Sequence, residues 1–159
     1  MTTSGDLTLV SRMRELRSSN AVASPMTDMQ AALGLSQLAR YGEMLKARKS
    51  IAEKYFKLLP QSMTGRLSDV SRDSIFFRFP IIVSDNFDTM RQYFESKGIA
   101  VRKGVDALIH RQYGMSDEGF PNATGLFNTT LSLPIYPALK AAELDRILYE
   151  AGQLWQINE

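Results

Sequence analysis

Residues 74–83 read SIFFRFPIIV. Ile75, Phe77, Phe79, Ile81 and Val83 recur at every second position, and Arg78 falls on the other side. That period of two, in β-branched and aromatic residues, predicts a strand with one buried face. Downstream, residues 85–97 predict a helix capped by Ser84 or Asp85, with Phe87, Met90 and Phe94 inward and Gly98 at its C-terminal end. A short strand at 99–102, an irregular stretch at 103–118, a short helix at 120–129 and a last strand at 131–135 follow. A closing helix at 143–156 carries Leu144, Ile147, Leu148, Ala151, Leu154 and Trp155 on one stripe.

Upstream the chain is helical. Residues 6–17 place Leu9, Val10, Met13 and Leu16 at helical spacing, with Ser4 or Asp6 as cap. A loop covers 18–25. Thr27 and Gln30 then form a capping-box pair that opens a helix over 27–41. This helix is apolar nearly all round. Met29, Ala32 and Leu33 lie on one side, and Ala31, Leu35 and Leu38 on another, the pattern of a helix covered on most sides. Gly42 marks a break. A second helix to about residue 59 buries Met44, Ala47, Ile51, Ala52, Tyr55, Leu58 and Leu59, with Lys46, Arg48, Lys49 and Lys54 on the wet face. A further short strand is expected near Leu67. The fold class is α+β, a small mixed sheet of about three strands covered by helices.

Composition narrows function by exclusion. The 159 residues, 44% hydrophobic and 23% charged, are enough for one ordinary core. No cysteine is present, which removes disulfides, thiolate zinc sites and a cysteine nucleophile. The net charge of +2 is dispersed, without the basic stripe that tracks nucleic acid. No apolar run approaches the roughly 20 residues of a membrane span, and the first residues lack a signal-peptide pattern, which predicts a cytoplasmic protein. No phosphate loop, nucleophile elbow or zinc-binding helix motif occurs. The single histidine, His110, cannot build a multi-histidine metal site, and Asp106 and Asp117 nearby are weak metal evidence. His110 reads either as a hydrogen-bonded loop residue or, with Arg102 and Lys103, as part of a candidate anion-binding loop. Phe76, Phe77 and Phe79 read as core.

Five segments, in order, resemble the DegT/DnrJ/StrS family of pyridoxal-phosphate-dependent sugar aminotransferases. They are TTSGDLTLVSRMRELRS at 2–18, MTDMQAALGLSQL at 26–38, ARKSIAEKYFKLL at 47–59, ESKGIAVRKGVDALIHRQYG at 95–114 and FPNATGLFNTTLSLPIYPAL at 120–139. The resemblance implies the C-terminal small domain of a fold type I aminotransferase at 26–159, with 1–25 a remnant of the large-domain end and its connecting loop. It places the Schiff-base lysine of the family just ahead of Met1 and puts none of the lysines here in that context. An asparagine that in the family reaches the cofactor phosphate of a neighbouring subunit is Ala23 here. His110 matches a histidine of the family's substrate-side loop. The implied expectations are therefore no catalytic residue, no pyridoxal phosphate bound by this chain alone, no metal, and amino transfer to a nucleotide-linked keto-sugar as the family reaction. Met29, Leu33, Leu35 and Leu38 are expected at an interface with a second copy or a large domain. Two other readings stand beside it: a non-catalytic module that dimerises or docks on a full-length aminotransferase, and a stand-alone binder of a nucleotide-sugar through Arg102, Lys103 and His110.

Overall fold

The computed structural model describes residues 4–19, 26–65, 74–83 and 86–156, with the side chains of 155 and 156 outside the description. Ala23, the strand expected near Leu67, the caps expected at Ser84 and Asp85, and Trp155 of the closing stripe lie outside the described residues or side chains. Two compact units divide after Arg40. The boundary expected at 25/26 falls at the end of an undescribed stretch.

The first unit holds α1 (Leu7–Ser19) and α2 (Asp28–Ala39). Asp6 caps α1, accepting from the N–H groups of Thr8 at 2.9 Å and Leu9 at 3.1 Å. In α2 the capping box forms as its residues dictate. Gln30 N–H donates to the Thr27 hydroxyl at 3.3 Å, and Thr27 N–H donates to the Gln30 side chain at 3.0 Å. Neither helix buries a residue. The break expected at Gly42 falls at Arg40 instead, where the backbone leaves helical geometry (φ −99°, ψ 1°).

The second unit contains α3 (Tyr41–Leu58), α4 (Gln61–Thr64), β1 (Phe79–Ile82), α5 (Phe87–Ser96), β2 (Arg102–Lys103), α6 (Ile109–Gln112), α7 (Pro121–Thr129), β3 (Thr130–Leu133) and α8 (Ala141–Gln156). The three strands order as β1-β3-β2. The sheet is antiparallel throughout rather than mixed, because the last strand enters between the other two and runs against both. Phe79 faces Leu133, Ile81 faces Leu131, and Lys103 faces Leu131 from the other side. Pro80 has no N–H to give a ladder and sits in β1, an edge strand, where that is tolerated.

One core fills this unit. Tyr55, Phe79, Phe94, Ile81, Leu131 and Leu133 are fully enclosed, and Ile147 and Ala151 of α8 close over them. The Tyr55 hydroxyl donates to the Pro134 carbonyl at 2.7 Å, and burial pushes its pKa up. The helix after β1 starts at Asn86, whose side chain accepts from Thr89 N–H at 3.0 Å. In α3, Leu58 is exposed although its stripe was expected inward, and Arg48 is half-buried rather than wet, with its Nε enclosed and unpartnered.

The strand that decided the fold class is shorter than its pattern, four residues rather than ten. Phe79, Ile81 and Val83 are buried as expected. Upstream, the alternation slips by one: Phe76 is buried and Phe77 is 68% exposed. The slip is local, because Phe76 takes a left-handed backbone (φ 45°) that turns its ring toward Phe56 and Phe79, at centroid distances of 6.0 and 6.4 Å.

Candidate functional site

The two residues of β2 point to opposite sides of the sheet, as consecutive strand residues must. Lys103 shares the face of Leu131. Its Nζ rests 4.0 Å from the ring centroid of Phe127 and 5.0 Å from that of Phe87. Arg102 lies on the other face and is exposed. Its charge acts instead on Asp106, whose carboxyl is held below the usual range mainly by hydrogen bonding to Arg78 and by the Arg78 charge, with Arg102 a weaker contributor. The expected pairing of Arg102 with Lys103 is therefore not made.

Arg78 fixes the chain leaving β2. It donates to the Lys103 carbonyl at 2.8 Å, to the Gly104 carbonyl at 3.3 Å, and to both Asp106 oxygens at 2.7 Å. The backbone then enters α6, which carries His110 and Arg111. A turn at Gly114 (φ 69°) reverses the chain, and Met115 N–H bonds the His110 carbonyl at 3.0 Å. That turn brings Asp117 back onto α6. Arg111 grips Asp117 through Nε at 2.9 Å and Nη2 at 2.7 Å. Asp117 Oδ1 also lies 2.9 Å from His110 Nε2. Hydrogen bonds from Arg111 first, and from His110 second, hold the Asp117 carboxyl far below the usual carboxylate range. The His110 ring is buried and stacks on Phe120, centroids 4.3 Å apart and planes 11° from parallel.

His110 thus belongs to a bonded cluster with Arg111 and Asp117, not to an open loop with Arg102. Arg111 also approaches Phe127, its Cζ 5.1 Å from that ring's centroid. Sequence reasoning missed Arg111, Phe127 and Arg78. A carboxylate six residues beyond an arginine, across a glycine, was the available signal. Phe127 also lines an open apolar groove of about 450 Å³ with Thr64, Ile82, Val105, Leu108 and Leu126. Met29, Leu33, Leu35 and Leu38 of α2 are 82%, 62%, 68% and 67% exposed.

Residues 8–150 match the DegT/DnrJ/EryC1/StrS aminotransferase family. The chain belongs to this family. Its relatives include the spore coat polysaccharide biosynthesis protein SpsC of Bacillus subtilis, 28% identical over 137 residues, covering 77% of this chain and 35% of that protein. Another is the dTDP-4-dehydro-2,3,6-trideoxy-D-glucose 4-aminotransferase of Saccharopolyspora spinosa, 28% identical over 127 residues, covering 77% and 33%. The chain thus spans about a third of the length of these relatives. Among solved structures, DesV of S. venezuelae, in complex with a ketimine intermediate, superposes with a TM-score of 0.75 at 24% identity, over 95% of this chain and 45% of that one. A family member from Brucella abortus gives 0.74 at 22% identity, over 93% and 44%. These likenesses show that the chain has the fold of the corresponding part of those structures.

The family is pyridoxal-phosphate-dependent, and another neighbour was solved in its PLP form. The N-termini of α1, α2 and α5 are already capped by Asp6, Thr27 and Asn86. No group of three or more histidine, aspartate or glutamate side chains that could hold a metal occurs among the described residues, and no described helix is long and apolar enough to cross a membrane.

Proposed function

We propose that this polypeptide is the small-domain part of a pyridoxal-phosphate-dependent nucleotide-sugar aminotransferase of the cytoplasm, and that alone it neither binds the cofactor covalently nor transfers an amino group. The observation that carries the reading is the family match over residues 8–150, while the aligned part covers only about a third of the relatives' length. Covalent chemistry of this kind needs an activated lysine and groups that hold the cofactor, and no lysine here has the family's sequence context.

Its own contribution is on the substrate side. Lys103 and Arg111 each lie over the ring of Phe127, which lines the apolar groove, and in this reading they are the cations a diphosphate would meet, Arg111 with one face of its guanidinium already taken by Asp117. Exposed charges are screened by water, so the expected affinity of the chain alone is about millimolar, or roughly 4 kcal/mol. A chemical-shift titration with dTDP-glucose tests this. Shifts centred on Lys103, Arg111 and Phe127, lost in Lys103→Ala, support it. No shifts at several millimolar contradict it.

A second reading rests on a separate observation. The exposed Met29, Leu33, Leu35 and Leu38 favour a module that associates through α2, with a second copy or with a full-length aminotransferase.

A further inference from the structure

We propose that Arg111 and Asp117 are positioning residues for His110: they fix the imidazole with its Nε2–H on Asp117, so that Nδ1 is the nitrogen offered to a hydroxyl or N–H of the ligand. The inference rests on the reading of this corner as the substrate side and adds which atom of the histidine acts.

The hydrogen-bond arithmetic assigns the proton. Asp117 Oδ1 receives Arg111 Nε–H at 2.9 Å, and Oδ2 receives Arg111 Nη2–H at 2.7 Å. A carboxylate held ionised by a guanidinium can only accept. The contact of 2.9 Å between Oδ1 and His110 Nε2 therefore needs a proton on Nε2. In the neutral ring that leaves a lone pair on Nδ1.

The ring cannot readily turn to exchange the two nitrogens. It lies flat against Phe120, its side chain is 6% exposed, and its helix is tied to the Asp117 turn by the Met115 N–H bond to the His110 carbonyl. Nδ1 makes no hydrogen bond to any described residue, and it is not one of the sealed, unpartnered side-chain atoms, which among the described residues are Arg48 Nε and Thr124 Oγ1. A buried imidazole with one nitrogen committed and the other unbonded among the described residues is preorganised to accept one hydrogen bond.

His110 is the single histidine of the chain, so an imidazole ¹H–¹⁵N correlation spectrum contains one ring. It is recorded on the full chain in mildly alkaline solution. The expected result is a protonated, slowly exchanging Nε2 and an unprotonated Nδ1. Asp117→Ala should lose the slow exchange. Asp117→Asn should keep it, because the amide oxygen still accepts while the charge is gone. Arg111→Gln should weaken it without abolishing it. A proton on Nδ1, unchanged protection in Asp117→Ala, or equal loss in Asp117→Asn and Asp117→Ala overturns the assignment. The last pattern would mean that Asp117 serves only its ion pair with Arg111. With dTDP-glucose added, a shift of the Nδ1 resonance is expected. Shifts at Lys103 and Phe127 with Nδ1 unmoved overturn the acceptor role and leave the anion reading standing. No shift anywhere contradicts both.

Discussion

Arg78 reaches across 28 residues of sequence to hold both carboxylate oxygens of Asp106 at 2.7 Å. The same guanidinium takes the carbonyls of Lys103 and Gly104. It ties the edge strand β1 to the segment that leads from β2 to His110. Arg78→Ala should therefore speed amide hydrogen exchange in residues 104–108 while leaving α3 and α8 protected. Arg78→Lys should rescue little, because an ammonium cannot serve a carboxylate in bidentate fashion and two carbonyls together. Uniform loss of protection across the domain would contradict a local role.

Gly104 is required by space. A methyl group there would lie 2.7 Å from Thr130 Cγ2 and 3.2 Å from Thr130 Cβ. Gly104→Ala is expected to destabilise the domain by about 1–3 kcal/mol, the range for overpacking. Adding Thr130→Ser removes the nearer atom and should recover a large part of the loss in chemical denaturation. Strict additivity of the two changes would contradict the proposed clash.

Stability should fall in acid through Asp117. Its folded pKa lies far below the ordinary aspartate value of about 3.9. Its contribution is therefore fully present above that value and is lost as pH falls toward the folded one. Asp106, also lowered, acts in the same direction. Melting curves should show Asp117→Asn modestly below the parent at neutral pH, since the pair is partly exposed and screened, with the gap narrowing as pH drops below about 4. A gap that is constant from pH 7 to pH 3 would contradict the linkage.

Helix α2 shows water an apolar surface that soluble chains seldom leave bare. Light scattering should give a mass above the monomer, with a twofold dimer the simplest form. The double variant Leu33→Glu, Leu38→Glu should become monomeric with its helix content intact, since both side chains are exposed. A parent that stays monomeric from micromolar to millimolar concentration would contradict an interface at α2.

Which features were legible in the sequence follows from how local their causes are. The capping box of Thr27 and Gln30 is a contact three residues long, and it forms as read. The stripes of α5 and α8 bury their expected sides because a helix repeats every few residues. The alternation at 74–83 failed at Phe76, where two adjacent aromatics could each claim the core. Packing against Phe56, about twenty residues upstream, decides between them. Arg102 and Lys103 looked like one charge cluster because they adjoin in sequence, whereas strand geometry sends them to opposite faces. Asp117 meets His110 only because the chain reverses at Gly114, and a period-based reading carries no signal for such a turn.

Under the function proposed here, this chain supplies the small-domain fold of the family and not the amine that binds the cofactor. The direct measurement is borohydride reduction in the presence of pyridoxal phosphate, followed by peptide mass spectrometry. The account predicts weak labelling spread over surface lysines such as Lys46, Lys54 and Lys57, with no site approaching one label per chain. Stoichiometric labelling of a single lysine would contradict it.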